Sequence, residues 1–379
     1  MRRSTSFYIS SMKHLPLLAL FLPALAFAQG ALTPAAAPAA SMKRLDQIEA
    51  RCPVQAGAPG VTGSPTTGFT ISAAGSYYLT GDITVASGNA ITITASPVTL
   101  DLNGFTLSST ANPATGYAIK GGLARIANGR IQCAGTASAT GFSGPGFAFG
   151  ISLSSGSVTR VSVAGISGTG IGGADLVAHS STREAGTGIS AGIVAACTAS
   201  ACRSTGIAST IAVSNTADSF GQGINASIVA DTTATSSGGA AITGTVVRSS
   251  IGLADSGYGI DAKVVHTSTG RSRVSSAGTG ATGLRTDIAY NCHGTTASPN
   301  AYGIRANYVA FNSTSANTAG GLGLLVDNGP AVFCRATISN ASGDTAISAP
   351  LAIGCTVSGL PAGMSGVDTP ADMKFLGTP

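Results

Sequence analysis

Gly188-Ile-Ser-Ala-Gly-Ile-Val194, Gly206-Ile-Ala-Ser-Thr-Ile-Ala212 and Gly223-Ile-Asn-Ala-Ser-Ile-Val229 are three copies of one pattern. Working outward from them, the apolar anchor after the glycine, or after a residue standing in for it, recurs at Ile151, Ile171, Ile189, Ile207, Ile224, Ile242, Ile260, Leu284, Ile304, Leu324 and Ile347. The successive steps are 20, 18, 18, 17, 18, 18, 24, 20, 20 and 23 residues. Self-similarity at this period means one supersecondary unit stacked many times, each copy too small to bury its apolar face alone. The repeat specifies an architecture and no reaction.

With the anchor as position 0, position 2 is mostly small (Ala191, Ser209, Ala226, Gly244, Ala262) and position 4 is large (Ile193, Ile211, Ile228, Val246, Val264, Ile288, Tyr308). Positions 0, 2 and 4 have the period of a half-buried strand and are expected to face inward. Position 5 is apolar again (Val194, Ala212, Val229, Val247, Val265), so the pair 4 and 5 is expected to point in together, with a bend between them. Position 8 reads Cys197, Asn215, Thr232, Ser250, Ser268, Cys292, Asn312 and, in a later coil, Cys355. Stacked at about 4.8 Å, these residues would satisfy one another's buried polar groups along the column. Position 10 is nearly always Ala or Gly, which suits a tight interior corner.

The composition fits strands stacked on identical neighbours: 52 glycines in 379 residues, no Trp and 9% charged residues. Glu and Lys are scarce, which disfavours long helices. The expected fold class is all-β, a single-stranded right-handed parallel β-helix of about 13 coils with a short N-terminal capping helix, one elongated domain roughly 60 Å long. The left-handed alternative has a strict six-residue period that is missing here, and steps of 20 to 24 fit variable right-handed coils.

Arg2, Arg3 and Lys13 precede the apolar run 15–27, and Ala26-Phe27-Ala28 is a small-x-small cleavage pattern, so residues 1–28 read as a secretory signal peptide. The run is too short to span a bilayer, and no membrane span is expected in the mature chain. Removing it lowers the net charge from +5 to about +2, which argues against nucleic acid as a partner. Residues 29–40 form a Pro/Ala linker. Residues 41–68 hold the capping helix, capped by Ser41 with the apolar stripe Met42, Leu45, Ile48 and Cys52, and a lead-in segment. The β-helix takes 69–360 and a C-terminal tail or cap takes 361–379. The expected location is outside the cytoplasm of a bacterium, either secreted, periplasmic or at the cell surface. Of seven cysteines at least one is unpaired; Cys334 with Cys355, in neighbouring coils, is the first disulfide candidate and Cys197 with Cys202 the second. Burial as small hydrophobes within the ladder is the alternative.

The segments Ser76-Tyr-Tyr-Leu-Thr-Gly-Asp-Ile-Thr84 and Val98-Thr-Leu-Asp-Leu-Asn-Gly-Phe-Thr-Leu107 resemble the opening coils of secreted right-handed β-helix proteins of the pectate-lyase-like superfamily. Met42-Lys-Arg-Leu-Asp-Gln-Ile-Glu-Ala-Arg51 and Arg125-Ile-Ala-Asn-Gly-Arg-Ile131 resemble the leader and next coil of an uncharacterised bacterial branch of that group. The resemblance implies a polysaccharide as the typical ligand, although fold alone does not carry function. The Asn-Thr-Asp and Asp-Asp signatures of polygalacturonase-like members are absent, and so are the acidic calcium cluster and Arg-x-Pro-x-x-Arg pattern of pectate lyases. His293 in Asn291-Cys-His-Gly294 has no matching carboxylate pair. No metal-ligand spacing and no cofactor motif occur.

One constellation stands out. Outward positions 1 and 3 are bland in most coils, then carry Asp261 and Lys263, Arg285 and Asp287, Arg305 and Asn307 in three successive coils; outward position 6 adds Arg248, His266 and Tyr290. In a chain this poor in charge the cluster has three readings. It is a surface salt ladder, with Asp261 above Arg285 and Lys263 above Asp287, each pair contributing roughly 0–1 kcal/mol. It is a platform for a polysaccharide, an acidic glycan gripped by Arg and Lys with Tyr290 packed on a sugar ring. Or it is catalytic, a lyase or hydrolase with Lys263, Arg285 or His266 as base. The expected role is a non-catalytic surface protein that binds polysaccharide or serves as a scaffold. N-terminal sequencing of the exported protein is expected to begin at Gln29; an intact Met1 or Met12 terminus on it would contradict the signal peptide.

Overall fold

The computed structural model describes residues 51–273, 281–299, 301–339, 345–358 and 367–368. The signal peptide, the linker and the expected helix over 41–50 lie outside the described residues. Its last expected residue, Cys52, starts the strand Cys52–Val54, which pairs in parallel with Gly75–Leu79. Pro53 fits here because an edge strand can spare an N–H. No helix occurs among the described residues. The chain enters through the antiparallel hairpin Val61–Ser64 with Gly68–Ile71. It then climbs as a parallel β-solenoid of about 14 turns.

Each turn contributes one strand to each of three parallel stacks. The anchors pair with one another from coil to coil, Ile189 with Ile207, Ile224, Ile242 and Ile260 in order. Every anchor from Ile151 to Ile347 is almost fully buried, and each contributes roughly 1.5–3 kcal/mol of apolar burial. The residue before the anchor is small for a steric reason: a Cβ on Gly206 would sit 2.7 Å from the Gly223 carbonyl oxygen of the next coil. Position 5 forms the second inward column (Val194, Ala212, Val229, Val247, Val265 and Ala289, all 0% exposed). The stretch read as a tail adds one further strand, Val367–Asp368, paired with Ile347–Ser348.

Position 4 does not face in. Ile193 is 41% exposed, Ile228 42% and Val246 37%. The bend therefore leaves positions 3 and 4 outside together, and the inward set is 0, 2 and 5. The side chains at position 4 are apolar because they shelter one another: Leu176, Ile193, Ile211, Ile228, Val246, Val264 and Ile288 stand in one register along the outside, each covering the flank of the next.

A corner falls at position 7 of the regular coils and one or two residues later where a coil holds extra residues. Its residue has positive φ in coil after coil: Asn103, Asn128, Arg160, His179, Ala196, Ser214, Asp231, Ser249, Thr267, Asn291, Asn312, Phe333 and Gly354. This left-handed conformation turns the chain within one residue and disfavours most side chains. The next residue turns inward and repairs the hydrogen bonding that the corner disrupts. Thr232 Oγ1 donates to the Ala230 carbonyl at 2.7 Å and accepts from the Asn215 N–H at 3.4 Å. Ser250 repeats the arrangement with Arg248 and Thr232, and Ser268 with His266 and Ser250. Asn215 accepts from the Cys197 N–H at 2.9 Å. The column thus bonds side chain to backbone rather than side chain to side chain. Ser313, not Asn312, is its member in the coil after Cys292. A one-residue irregularity in the pairing after Thr286, which sets Ile288 opposite Val309, moves Asn312 into the corner.

Two substitutions test the corner. Ser250→Ala leaves the buried Thr232 N–H without its acceptor and is expected to cost about 1–3 kcal/mol. Ala196→Asn places a residue tolerant of positive φ at a corner and is expected to add about 1 kcal/mol. Urea unfolding followed by circular dichroism reads both; equal midpoints for the two variants would contradict this account.

Candidate functional site

The register brings six of the nine candidate residues to one place. Asp261, Lys263, Arg285, Asp287, Arg305 and Asn307 line a hollow of about 580 Å³ on the outer surface, with Asp327 completing it. Position 1 stacks Asp261 on Arg285 on Arg305, while position 3 runs through Lys263, Asp287 and Asn307 in the same coils. Asp327 holds position 3 of the following coil, so the alignment would have found it one turn further along.

Most of the charge is already paired. Arg285 donates through Nε to Asp261 Oδ1 at 2.8 Å and through Nη2 to Asp261 Oδ2, a bidentate fork. Its Nη1 donates to the Tyr258 hydroxyl at 2.8 Å, and the guanidinium lies 4.0 Å from the Tyr258 ring centre. The Asp261 carboxylate raises the guanidinium pKa further. Arg305 donates through Nε to Asp327 Oδ2 at 3.0 Å and sits near the Tyr302 ring. The two tyrosines occupy the same place, two residues before the anchors Ile260 and Ile304, a regularity that sequence alignment alone would have shown.

The expected pair Lys263 with Asp287 does not form. Asp287 accepts instead from Asn307 Nδ2 at 3.3 Å, and Asn307 accepts from Asn328 Nδ2 at 2.7 Å. The Lys263 side chain is exposed and makes no hydrogen bond or ion pair among the described residues. The hollow therefore holds three cations and three carboxylates, and its uncommitted groups are the Lys263 ammonium and part of the Asp287 carboxylate.

Arg248, His266 and Tyr290 stand apart from the hollow, in the position 6 column of the second stack. That column is a ladder of rings: His266 stacks on Tyr290 with centres 5.5 Å apart, Tyr290 on Phe311 at 4.7 Å, and Phe311 meets Phe333 edge to face at 5.9 Å. Both faces of Tyr290 are thus covered by neighbouring rings, and the 40% of it that is exposed is not a free face for a sugar. Tyr308, the extra residue created by the register irregularity, is 52% exposed, has no ring partner among the described residues and adjoins Asn307 of the hollow.

His293 faces out on the third stack, its Nδ1 2.6 Å from Thr314 Oγ1, with burial lowering its pKa. Among the described residues no group of His, Cys, Asp or Glu is arranged to hold a metal ion, and no helix is long and apolar enough to cross a membrane. All seven cysteines are free thiols. Cys334 and Cys355 are stacked neighbours, each donating to the carbonyl two residues before it in the manner of the serines of the column. The Cys334 thiol also donates to Cys355, which raises its own pKa and pulls Cys355 down to about 7. Cys202, in the coil of Cys197, is pushed up to about 11 by burial.

No family model matches the chain, and no curated protein sequence matches it. Among solved structures, the Dettilon tailspike protein is similar at 12% identity and a TM-score of 0.34, over 79% of this chain and 60% of that one. The chain thus spans 60% of the length of that structure.

The thiols give a direct check on the carboxyl-terminal coils. In the reduced protein, iodoacetamide is expected to modify Cys355 first, with a rate that rises through about pH 7 as its thiolate forms, and before both its neighbour Cys334 and the buried Cys202, whose pKa values are raised. Peptide mass mapping across a pH series reads the order.

Proposed function

We propose that the protein is a non-catalytic, extracytoplasmic β-helix that binds a polysaccharide across the hollow formed by positions 1 and 3. The observation that carries the reading is the coincidence of that hollow with the Lys263 ammonium and with the Asp287 carboxylate, of which one oxygen accepts from Asn307 and the other is uncommitted among the described residues. A flat face with every charge paired would leave only a salt ladder. The hollow offers charged donors and acceptors for a sugar's hydroxyls, and the exposed Tyr308, next in the chain to Asn307 of the lining, would offer a ring face for its C–H surface. Arg285 and Arg305, fixed by Asp261 and Asp327, keep spare N–H groups in set positions and serve as rigid donors. Because cations and carboxylates balance, the ligand class that fits this hollow is a neutral or zwitterionic glycan. The acidic glycan expected from the arginines alone does not suit it.

A glycan-array screen of the mature protein beside Lys263→Ala/Asp287→Ala and Tyr308→Ala tests the reading. The wild type is expected to bind neutral or amino-sugar glycans, and each variant to lose about tenfold or more in affinity. Retained binding in the double variant would place the ligand elsewhere. No binding by well-folded wild type would leave the scaffold reading, and unsaturated or shortened products from a bound glycan would move the protein to the lyases or hydrolases.

A further inference from the structure

A second hollow, of about 610 Å³, lies at the corner edge of earlier coils, where the second stack passes to the third. Arg130, Arg160 and His179 line it, together with the hydroxyl-bearing Ser162, Ser181 and Thr198. The register assembles them. Asn128, Arg160 and His179 are successive corner residues, and Arg130, Ser162, Ser181 and Thr198 pair in order two residues beyond those corners.

Its charge differs from that of the first hollow. Every titratable group in the lining is basic, and neither arginine side chain has a hydrogen bond or ion pair among the described residues. The four carboxylates between residues 76 and 200 are engaged elsewhere. Asp82 accepts the Thr106 N–H, and Asp101 takes Arg51, the Asn103 N–H and the Asn128 amide. Asp175 holds the Ser155 hydroxyl and Gly156 N–H, and Glu184 lies 3.8 Å from Arg183. Arg160 also keeps a left-handed backbone, φ 53°, which favours Gly, Asn or Asp over a long side chain. Two uncompensated guanidinium groups, set in adjacent coils about 4.8 Å apart along the axis, leave a field that water alone must balance.

We propose that this hollow binds an oxyanion borne by an acidic polysaccharide, a sulfate, phosphate or uronate carboxylate group. The guanidinium forks match the geometry of such groups bidentately. The hydroxyls of Ser162 and Thr198 supply further donors; Ser181 donates to Ser162 at 3.1 Å, which orients the first of them. The site is independent of the first hollow: one suits a balanced glycan and the other a polyanion.

The test is affinity electrophoresis of the full mature protein in gels containing dextran sulfate, polygalacturonate or unmodified dextran, with isothermal titration of inorganic phosphate alongside. The wild type is expected to be retarded by at least one acidic polymer and not by dextran, less so as salt rises. Arg130→Gln and Arg160→Asn are each expected to weaken that binding about tenfold. Arg160→Asn should at the same time raise the unfolding midpoint, since Asn suits the corner. A residue kept for structure would move stability and binding together, so a loss of both in Arg160→Asn overturns the proposal. So does acidic-polymer binding unchanged in both variants, or lost instead in Lys263→Ala/Asp287→Ala. Phosphate bound with no polymer retarded would assign a small free anion and overturn the polysaccharide claim.

Discussion

Turning the chain within one residue at the corner of coil after coil is the constraint on which the rest of this structure depends. The left-handed corner does so, and it pulls the following N–H away from the strand ladder. A buried, unpartnered N–H is expensive, so the solenoid can close only if something inside accepts it. The inward Ser, Thr or Asn of the adjoining coil does this; the hydroxyls return their own proton to the carbonyl two residues before them, and the Asn215 amide donates to the Val194 carbonyl of the preceding coil. Each coil thereby completes the hydrogen bonding of its neighbour, and the repeat cannot drift in register without leaving a donor unmatched. Cysteine can stand in the column because its sulfur still donates to the same carbonyls, as Cys197, Cys292, Cys334 and Cys355 do.

Locked register has a chemical consequence on the outside. Residues separated by a whole coil in sequence become neighbours at the strand spacing, so a few substitutions in successive coils are enough to build a site. Asp261, Arg285, Arg305 and Asp327 use this to form two ion pairs that hold the side chains in place, while Lys263 and Asp287 face the hollow between them. Arg130 and Arg160 use it differently, concentrating cations where no carboxylate answers. The His266, Tyr290, Phe311 and Phe333 ladder uses it to cover aromatic faces with one another, which turns a column that reads as a binding platform into packing.

Where the sequence misled, the cause was geometric. Ile193, Ile228 and Val246 carry the signature of core residues yet lie outside, because stacking on an identical neighbour shelters an aliphatic side chain nearly as a core does, and hydrophobicity cannot tell the two apart. Asn312 and Tyr308 were displaced by a single extra residue between Ala306 and Val309, which a fixed count from the anchor cannot register. Asp327 and the tyrosines at 258 and 302 were within reach of the alignment. Arg130 and Arg160 were not, since one lies two residues beyond a corner and the other at a corner, in coils where the count from the anchor no longer gives the register.

The sequence by itself determined the solenoid, its anchors, its inward polar column and the coils that hold the charge, because the two periods involved, alternation along a strand and repetition from coil to coil, are both written linearly in the chain. Only the tertiary structure decided which side of the bend each residue faces, which charges neutralise each other and which are left for a ligand. Those outcomes depend on the angle at which one strand meets the next and on the distance between side chains a coil apart, and neither quantity has a local signature in the residues themselves.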